Sequence, residues 1–291
     1  MQLLMGAPVT SMIINDLKNK MESVIKNKQR APHLYVILVG NNGASTTYVN
    51  KKMKSCEEVG FQSSIQHYEE NIDQETLLNF IETLNQDTSV DGILVQLPLP
   101  AHINQEAVIN AINPDKDVDG FHPVNMGKLI SGNDGFIPAT PLGIVKMLQH
   151  YGISVAGKRV VIIGRSQIVG RPLSILLSSN HSFGNATVTV CHSGTLHLKE
   201  LCLQADILVA AIGIPEFIKK DMIKEGAIVI DVGITRINND TKKSGFTIKG
   251  DVDFDSCSTK ASFITPVPGG VGLTTIGALL SNTWKAYHQG K

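Results

Sequence analysis

Short apolar runs alternate with amphipathic stretches through the first half of the chain. Residues 34–39 and 92–96 are almost continuously apolar, whereas residues 75–84 carry apolar side chains at helical spacing. Apolar strands that are separated by helices are typical of a parallel sheet covered on both faces. We therefore expect an α/β domain over the amino-terminal part of the chain.

A second alternation begins at Arg159. It predicts strands at residues 160–163, 186–191, 207–211 and 228–232, with helical segments between them. This order is typical of a Rossmann-type, doubly wound fold. Residues 113–135 are rich in Asp, Gly, Pro and Asn and indicate a functional loop followed by a linker. We place an amino-terminal domain at 1–139 and a second domain at 140–272, before a closing helix.

Composition and charge exclude several classes of protein. With 291 residues, of which 42% are hydrophobic, the chain has enough apolar material for a substantial core. Its formal net charge is zero, which argues against a nucleic acid or an anionic membrane as the main partner. No apolar run reaches 18 residues, and Pro8 interrupts an apolar start that no basic residue precedes. We expect a soluble, cytoplasmic protein with neither a signal peptide nor a membrane span.

The cysteines and histidines give no sign of a metal site. The four cysteines are scattered without a Cys-x-x-Cys motif, and the nine histidines lack the spacing of metal ligands. A disulfide framework is not indicated either, and a reducing compartment is expected. We therefore predict no bound metal.

Tyr48 and Lys52 are the first candidates for chemistry. Four residues apart on a helix, they project from the same face, beside a predicted buried stripe of Val49, Met53 and Cys56. An aromatic ring and an amine in this arrangement are able to hold a flat ring and move a proton near it. On this segment alone, a surface lysine beside a half-buried tyrosine is the favoured interpretation.

The turn at residues 164–170, Gly-Arg-Ser-Gln-Ile-Val-Gly, indicates a nucleotide site. It follows a predicted strand and opens a helix, where a dinucleotide pyrophosphate binds to helix amides. The next strand ends in Cys191, His192 and Ser193 without the carboxylate that an NAD site requires. Arg165 and Ser166 are suited to a 2′-phosphate, which favours NADP. Because Ser166 stands where a glycine is usual, a tight connection without a ligand remains the alternative.

Polar side chains also follow the strand at residues 92–96. Gln96 ends this strand, and ligands of open α/β sheets collect at the carboxyl ends of strands, although Gln96 could merely cap the strand. Asp117 and Asp119 lie in the loop Lys-Asp-Val-Asp-Gly at residues 116–120. One carboxylate could bind an aminopyrimidine-like ring while the other bonds the loop's own backbone, but acidic loops are usually solvated turns.

Taken together, six motifs resemble one family in order along nearly the whole chain, that of the bifunctional methylenetetrahydrofolate dehydrogenase/methenyltetrahydrofolate cyclohydrolase. The motifs are Tyr-Val-x-x-Lys at 48–52, Asp-Gly-Ile-Leu-Val-Gln-Leu-Pro-Leu-Pro at 91–100, Lys-Asp-Val-Asp-Gly-Phe-His-Pro at 116–123, Gly-Arg-Ser-x-x-Val-Gly-Arg-Pro at 164–172, Ala-Thr-Val-Thr-Val-Cys-His-Ser at 186–193 and Thr-Pro-Val-Pro-Gly-Gly-Val-Gly at 265–272.

The resemblance implies an NADP-dependent oxidation of 5,10-methylenetetrahydrofolate and hydrolysis of the methenyl product to 10-formyltetrahydrofolate. It further implies a homodimer and two α/β domains around a cleft, an amino-terminal folate-site domain and a Rossmann-type NADP-binding domain. The closing helix at 273–291 is expected to join the amino-terminal domain.

The same resemblance assigns roles to individual residues. Tyr48 is expected to stack on the folate, Lys52 to serve the proton transfers, Gln96 to hold Lys52, and Asp119 to hydrogen-bond the pterin. The residues expected to line the NADP site are Gly164, Arg165, Ser166, Ser193 and Ile234.

Two other functions compete with this one. A different two-domain NAD(P)-dependent dehydrogenase, acting on amino acids or hydroxy acids, would need a clamp for the substrate carboxylate, and the scattered arginines do not form one in the sequence. A non-catalytic dinucleotide-binding module would not need Tyr48, Lys52, Gln96 and Asp119 together.

Overall fold

The structure is a computed structural model that describes residues 1–239, 241–242 and 245–289. The last two residues of the closing helix predicted at 273–291 lie outside this described part. The chain divides into two compact units. The first unit comprises Ser11–Ala139 and Ile276–Lys291, and the second comprises Met1–Thr10 and Thr140–Thr275.

Helices and strands alternate along both units. In chain order they are β1 (Gln2–Leu3), α1 (Gly6–Lys26), β2 (His33–Val39), α2 (Gly43–Val59), β3 (Gln62–Tyr68), α3 (Gln74–Gln86), β4 (Gly92–Val95), α4 (Gln105–Ala111), α5 (Pro123–Ser131), α6 (Ala139–His150), β5 (Arg159–Ile163), α7 (Gly170–Ser178), β6 (Thr187–Cys191), α8 (Leu198–Leu203), β7 (Ile207–Ala210), β8 (Ile228–Asp231), β9 (Thr235–Asn238), β10 (Phe246–Lys249), α9 (Phe254–Ser258), β11 (Phe263–Ile264) and α10 (Val271–Gln289).

The first unit is built on a three-stranded parallel sheet in the order β3-β2-β4. Strand β4 is buried along its whole length and β2 along nearly all of it, which accounts for their continuous apolar sequences. Ile37 and Ile93 of these strands belong to one buried cluster with Leu77 and Ile81 of α3. The carboxyl ends of β2 and β4 therefore lie side by side, next to this buried cluster.

The second unit contains a six-stranded parallel sheet in the order β1-β11-β8-β7-β5-β6. If β1 is left out and the other five strands are numbered along the chain from β5, their order in the sheet is 2-1-3-4-5, which is that of a doubly wound fold. The strand order reverses between β5 and β7, although all the strands run in the same direction. The sequence prediction of a Rossmann-type fold is confirmed. A separate antiparallel pair, β9 and β10, follows β8 and was not expected from the sequence.

The amino terminus lies in a different unit from the one that the sequence predicted. Strand β1 pairs with β11 in parallel, with Gln2 opposite Phe263 and Leu3 opposite Ile264. The short strand β11 has one side occupied by β8, so its other side offers unpaired backbone groups that β1 satisfies. Residues Met1–Thr10 consequently belong to the second unit, whereas the predicted boundary placed them in the domain at 1–139.

Within the described ranges, none of the helices combines the length and the apolar character needed to cross a bilayer. The same ranges contain no group of three or more His, Cys, Asp or Glu side chains arranged to hold a metal ion.

Candidate active site

Helix α2 carries Tyr48 and Lys52 one turn apart on the same face. Val49, Cys56 and Val59 of this helix are buried and attach it to the body of the first unit. Lys52 is only 7% exposed, whereas Tyr48 is half-buried. The amine therefore stands at a largely dry position beside a ring that solvent or a ligand still reaches.

Gln96, which follows β4, is the hydrogen-bond partner of Lys52. Lys52 Nζ donates to Gln96 Oε1 at 2.9 Å, and Gln96 Nε2 donates to the Leu97 carbonyl at 2.7 Å. The second bond fixes which end of the amide faces the lysine, so an acceptor oxygen meets the amine. Gln96 N–H also continues the pairing of the sheet by donating to the Ile37 carbonyl at 2.8 Å.

The environment of Lys52 disfavours its charged form. Burial lowers the pKa of Lys52, and the negative charge of Asp119 partly opposes this change. Burial also raises the pKa of the Tyr48 phenol and raises the pKa of the Cys56 thiol to about 12. Tyr48 and Cys56 are consequently neutral at physiological pH, and Lys52 is the group on this helix face that is suited to exchange protons.

Asp117 holds its own loop together. It is 2% exposed and accepts hydrogen bonds from Gly120 N–H at 3.1 Å, His122 N–H at 2.8 Å and Asn125 Nδ2 at 2.9 Å. Burial raises the pKa of Asp117, and these hydrogen bonds work in the opposite direction. Its oxygens are thus engaged by the protein itself.

Asp119 is placed differently, although it is only two residues further along. It makes no hydrogen bond or ion pair to any residue in the described part of the chain. Burial raises the pKa of Asp119 to about 6, the positive charge of Lys52 lowers it, and the charge of Asp117 raises it. The carboxylate therefore senses Lys52 electrostatically and keeps its oxygens available for a ligand.

A cleft lies at the carboxyl ends of the three strands of the first unit. Its volume is about 480 Å³, and residues after β2, β3 and β4 form its walls. Gly40, Glu70 and Leu99 represent these three segments. This is the edge at which ligands of open parallel sheets bind.

The glycine-rich turn of the second unit brings backbones into close contact. A Cβ atom on Gly164 would collide with the Ala211 carbonyl oxygen, and one on Gly170 would collide with the Gly164 carbonyl oxygen. Gly164 also has a φ of +121°, which residues other than glycine rarely adopt. The turn lies where the strand order reverses, between β5 and β7, which is the usual dinucleotide position.

The other predicted nucleotide-site residues lie on the same edge of this sheet. Arg165 and Ser166 follow β5, and Ser193 follows the paired strand β6; all three are exposed. Ser166 Oγ accepts the Val169 N–H at 3.2 Å, just before α7 begins, and its hydroxyl hydrogen can donate to a ligand. Ile234 lies after β8, two strands away from β5, and is 44% exposed. The exposed guanidinium and hydroxyls suit an anionic, phosphorylated cofactor.

Two buried carboxylates that the sequence did not single out fix the loops around Ile234. Asp251 Oδ2 accepts the N–H groups of Ile212 at 2.7 Å and Gly213 at 3.1 Å. Asp231 accepts those of Gly233 at 3.0 Å, Asp251 at 2.9 Å and Val252 at 2.9 Å. Burial raises the pKa of Asp231 to about 7, against these hydrogen bonds. The sequence did offer a signal for Asp231, because this aspartate ends the otherwise apolar strand β8.

Comparison with known proteins gives matches to both units. Residues 138–291 match the family described as tetrahydrofolate dehydrogenase/cyclohydrolase, NAD(P)-binding domain, and residues 4–119 match the corresponding catalytic domain. A relative from Flavobacterium johnsoniae named "Bifunctional protein FolD" is 52% identical over 283 residues, which are 97% of this chain and 96% of the relative.

Solved structures of similar proteins cover nearly the whole chain. The bifunctional enzyme FolD, methylenetetrahydrofolate dehydrogenase/cyclohydrolase, from Campylobacter jejuni is 50% identical, has a TM-score of 0.92 and covers 99% of each chain. The methylenetetrahydrofolate dehydrogenase-cyclohydrolase of Trypanosoma brucei, complexed with NADP cofactor and an inhibitor, is 36% identical with a TM-score of 0.92, covering 98% of this chain and 96% of that one.

The electrostatic link between Lys52 and Asp119 is testable by itself. Replacing Asp119→Asn removes the negative charge that favours the ammonium, so we expect the pKa of Lys52 to fall further. Titration of the Lys52 Nζ resonance by NMR measures this change. Glu57→Gln removes a carboxylate from an exposed position of the same helix and should leave the Lys52 titration unchanged. An unaltered titration in Asp119→Asn would show that the two groups are not coupled.

Proposed function

The chain belongs to the tetrahydrofolate dehydrogenase/cyclohydrolase family, and we propose that Tyr48, Lys52, Gln96 and Asp119 form its folate site. It is a bifunctional enzyme that oxidises 5,10-methylenetetrahydrofolate with NADP and hydrolyses the methenyl product to 10-formyltetrahydrofolate, within one-carbon metabolism. The family resemblance of the six motifs is confirmed, and the two competing functions fall away. The observation that carries the residue assignment is the buried Lys52 amine, bonded to Gln96 at 2.9 Å and coupled in charge to Asp119.

Tyr48 and Asp119 have the properties needed to bind the folate. A half-buried phenol ring offers one face for stacking on a flat heterocycle. No described residue donates a hydrogen bond to the oxygens of Asp119, which are suited to accept hydrogen bonds from the N–H groups of the pterin. With a pKa of about 6, this carboxyl is mainly ionised at neutral pH, which is the accepting form.

Lys52 is assigned the proton transfers of the hydrolysis. Water attacks the carbon between the two nitrogens of the methenyl cation, and a proton must leave the attacking oxygen. The bond from this carbon to N5 then breaks, the second proton of the water passes to N5, and the formyl group stays on N10. Only a neutral amine accepts the first of these protons, and burial moves the pKa of Lys52 towards the value at which that form is available. Gln96 accepts from the amine and thereby keeps Nζ directed to one place. A cationic methenyl group beside Lys52 would disfavour the ammonium further, so the first reaction prepares the base for the second.

The glycine-rich turn and its neighbours are assigned to NADP, which accepts a hydride from the methylene carbon when it is bound. The exposed Arg165 is placed to meet the 2′-phosphate by a charge-assisted hydrogen bond, with Ser166 and Ser193 as hydroxyl donors. Gly164 allows the backbone to approach the phosphates, and Ile234 offers an apolar surface to the cofactor.

The division of labour, the assembly and the location rest on the family and the sequence. We assign folate binding to the first unit, residues 11–139 and 276–291, and NADP binding to the second unit, residues 1–10 and 140–275. We further propose a cytoplasmic homodimer. We propose no nucleic-acid partner, because the net charge of the chain is zero. Light scattering of the purified protein should give twice the chain mass of 31.4 kDa, and a mass of one chain would refute the dimer.

The assignment of Lys52 predicts an asymmetric loss of activity. Hydride transfer needs the substrate held in place, which Tyr48 and Asp119 partly sustain without an amine, whereas hydrolysis needs a proton carrier. Lys52→Met should therefore lower the cyclohydrolase rate by ~10²–10⁴-fold, keep measurable dehydrogenase activity and accumulate methenyltetrahydrofolate. Decay of the methenyl absorbance on isolated substrate measures hydrolysis alone.

A matched control for this experiment is Lys51→Met, at the exposed neighbouring position of α2. It should behave like the parent enzyme, and circular dichroism should show both variants folded. Unimpaired methenyl decay in Lys52→Met, or an equal loss in Lys51→Met, would show that the wrong helix face has been chosen.

The assignment of Arg165 predicts a loss of cofactor preference. One hydrogen bond to a charged group contributes roughly 1.5–3 kcal/mol, so Arg165→Ala should reduce the preference for NADP over NAD by ~10–100-fold in kcat/KM. Arg159→Ala, an exposed arginine at the other end of β5, should leave the preference intact. Equal use of NAD and NADP by the unmodified enzyme would contradict the assignment.

A further inference from the structure

Asn282 is a buried polar residue of α10. It is 4% exposed, and Leu279, Leu280 and Ala286 of the same helix are buried near it. An amide at such a position is costly unless its hydrogens are used. Both are used: Asn282 Nδ2 donates to the Val118 carbonyl at 2.8 Å and to the Ile137 carbonyl at 2.9 Å.

One of these carbonyls belongs to the loop that presents Asp119, and the other belongs to the segment against which this loop packs. The Val118 carbonyl belongs to the peptide group that joins Val118 to Asp119, so its orientation sets the backbone of Asp119. On the other side, Gly120 packs so closely against Ile137 and Pro138 that a Cβ atom there would collide with their backbone. Asn282 therefore ties the peptide before Asp119 to the segment against which the residue after it packs.

Among the described residues, the other contacts of the loop hold the residues on either side of the Val118–Asp119 peptide but not the peptide itself. The Val118 side chain is buried against Gly92 of β4, and the Asp117 carboxylate holds Gly120 N–H and His122 N–H. The Asp119 side chain itself makes no hydrogen bond in the described part of the chain. Asn282 bonds the peptide that adjoins this side chain.

We propose that Asn282 is a positioning residue for the folate reaction, because it holds the Val118–Asp119 peptide so that the Asp119 carboxylate meets the substrate and Lys52. This inference rests on the proposed folate site. Asparagine suits the position because one nitrogen supplies two N–H donors at short reach. Serine supplies one donor at most, and leucine supplies none.

Steady-state kinetics of Asn282→Leu and Asn282→Ser test the proposal. A small displacement of a positioning group costs up to about 10²-fold in rate, so we expect kcat/KM for methylenetetrahydrofolate to fall ~10–100-fold, mainly through KM. The KM for NADP should stay unchanged, because both hydrogen bonds of Asn282 remain within the first unit. Asn282→Ser, which keeps a donor, should be affected less and provides the readout if the leucine variant does not fold.

The matched control is Thr283→Val, at the next residue of α10. Thr283 is fully buried and donates its hydroxyl to the Leu279 carbonyl of its own helix at 3.0 Å. The substitution removes a buried hydrogen bond from the same helix without touching the Asp119 loop. The single tryptophan, Trp284, lies in this helix, and its fluorescence in urea compares the stability of the variants.

A double-mutant cycle separates positioning from general stability. If Asn282 acts through Asp119, then Asn282→Leu should cause no further loss of folate kcat/KM in an Asp119→Ala background. Unchanged folate kinetics in both Asn282 variants, or a full additional loss in that background, would overturn the inference and leave the folate site intact. Unchanged folate kinetics in Asp119→Ala itself would overturn the proposed site and the inference with it.

Discussion

The buried amine of Lys52 is the constraint on which the arrangement of the first unit's site depends. An ammonium group that leaves water loses several kcal/mol of hydration, and burial accordingly lowers the pKa of Lys52. Two groups offset this cost: the Gln96 oxygen by a hydrogen bond and Asp119 by its negative charge. Gln96 follows β4, and Asp119 lies in the loop at residues 116–120. The end of β4 and the path of this loop must therefore both bring a group close to the Lys52 amine.

The second unit depends on a contact between backbones instead. Gly164 lies so close to the Ala211 carbonyl that no side chain fits between them. This contact joins the ends of β5 and β7, where the order of the strands in the sheet reverses. Arg165 and Ser166 follow this contact directly, and both are exposed. The buried carboxylates of Asp231 and Asp251 extend the same principle to the loops after β7 and β8, because they fix backbone N–H groups rather than side chains.

The features predicted from the sequence are those that depend on neighbouring residues. Helical spacing placed Tyr48 and Lys52 on one face, and the strand–turn–helix order located the turn at Gly164, because both depend on a few consecutive residues. Two of the features that were missed join distant segments. Strand β1 pairs with β11 about 260 residues later, and Asn282 bonds a carbonyl 164 residues earlier. Nothing in the local pattern identifies such partners, since the packing of the whole unit selects them.

The two loop carboxylates show how surroundings, rather than residue type, assign a role. Asp117 and Asp119 are chemically identical and two residues apart, and burial raises the pKa of both. Asp117 accepts three hydrogen bonds from its own loop and α5, which use the lone pairs that a ligand would need. Among the described residues none donates a hydrogen bond to the Asp119 side chain, and the positive charge of Lys52 keeps its pKa near 6 despite burial. The oxygens of Asp119 are therefore available to a substrate, because the loop is held by hydrogen bonds to Asp117 and from Asn282 that do not use them.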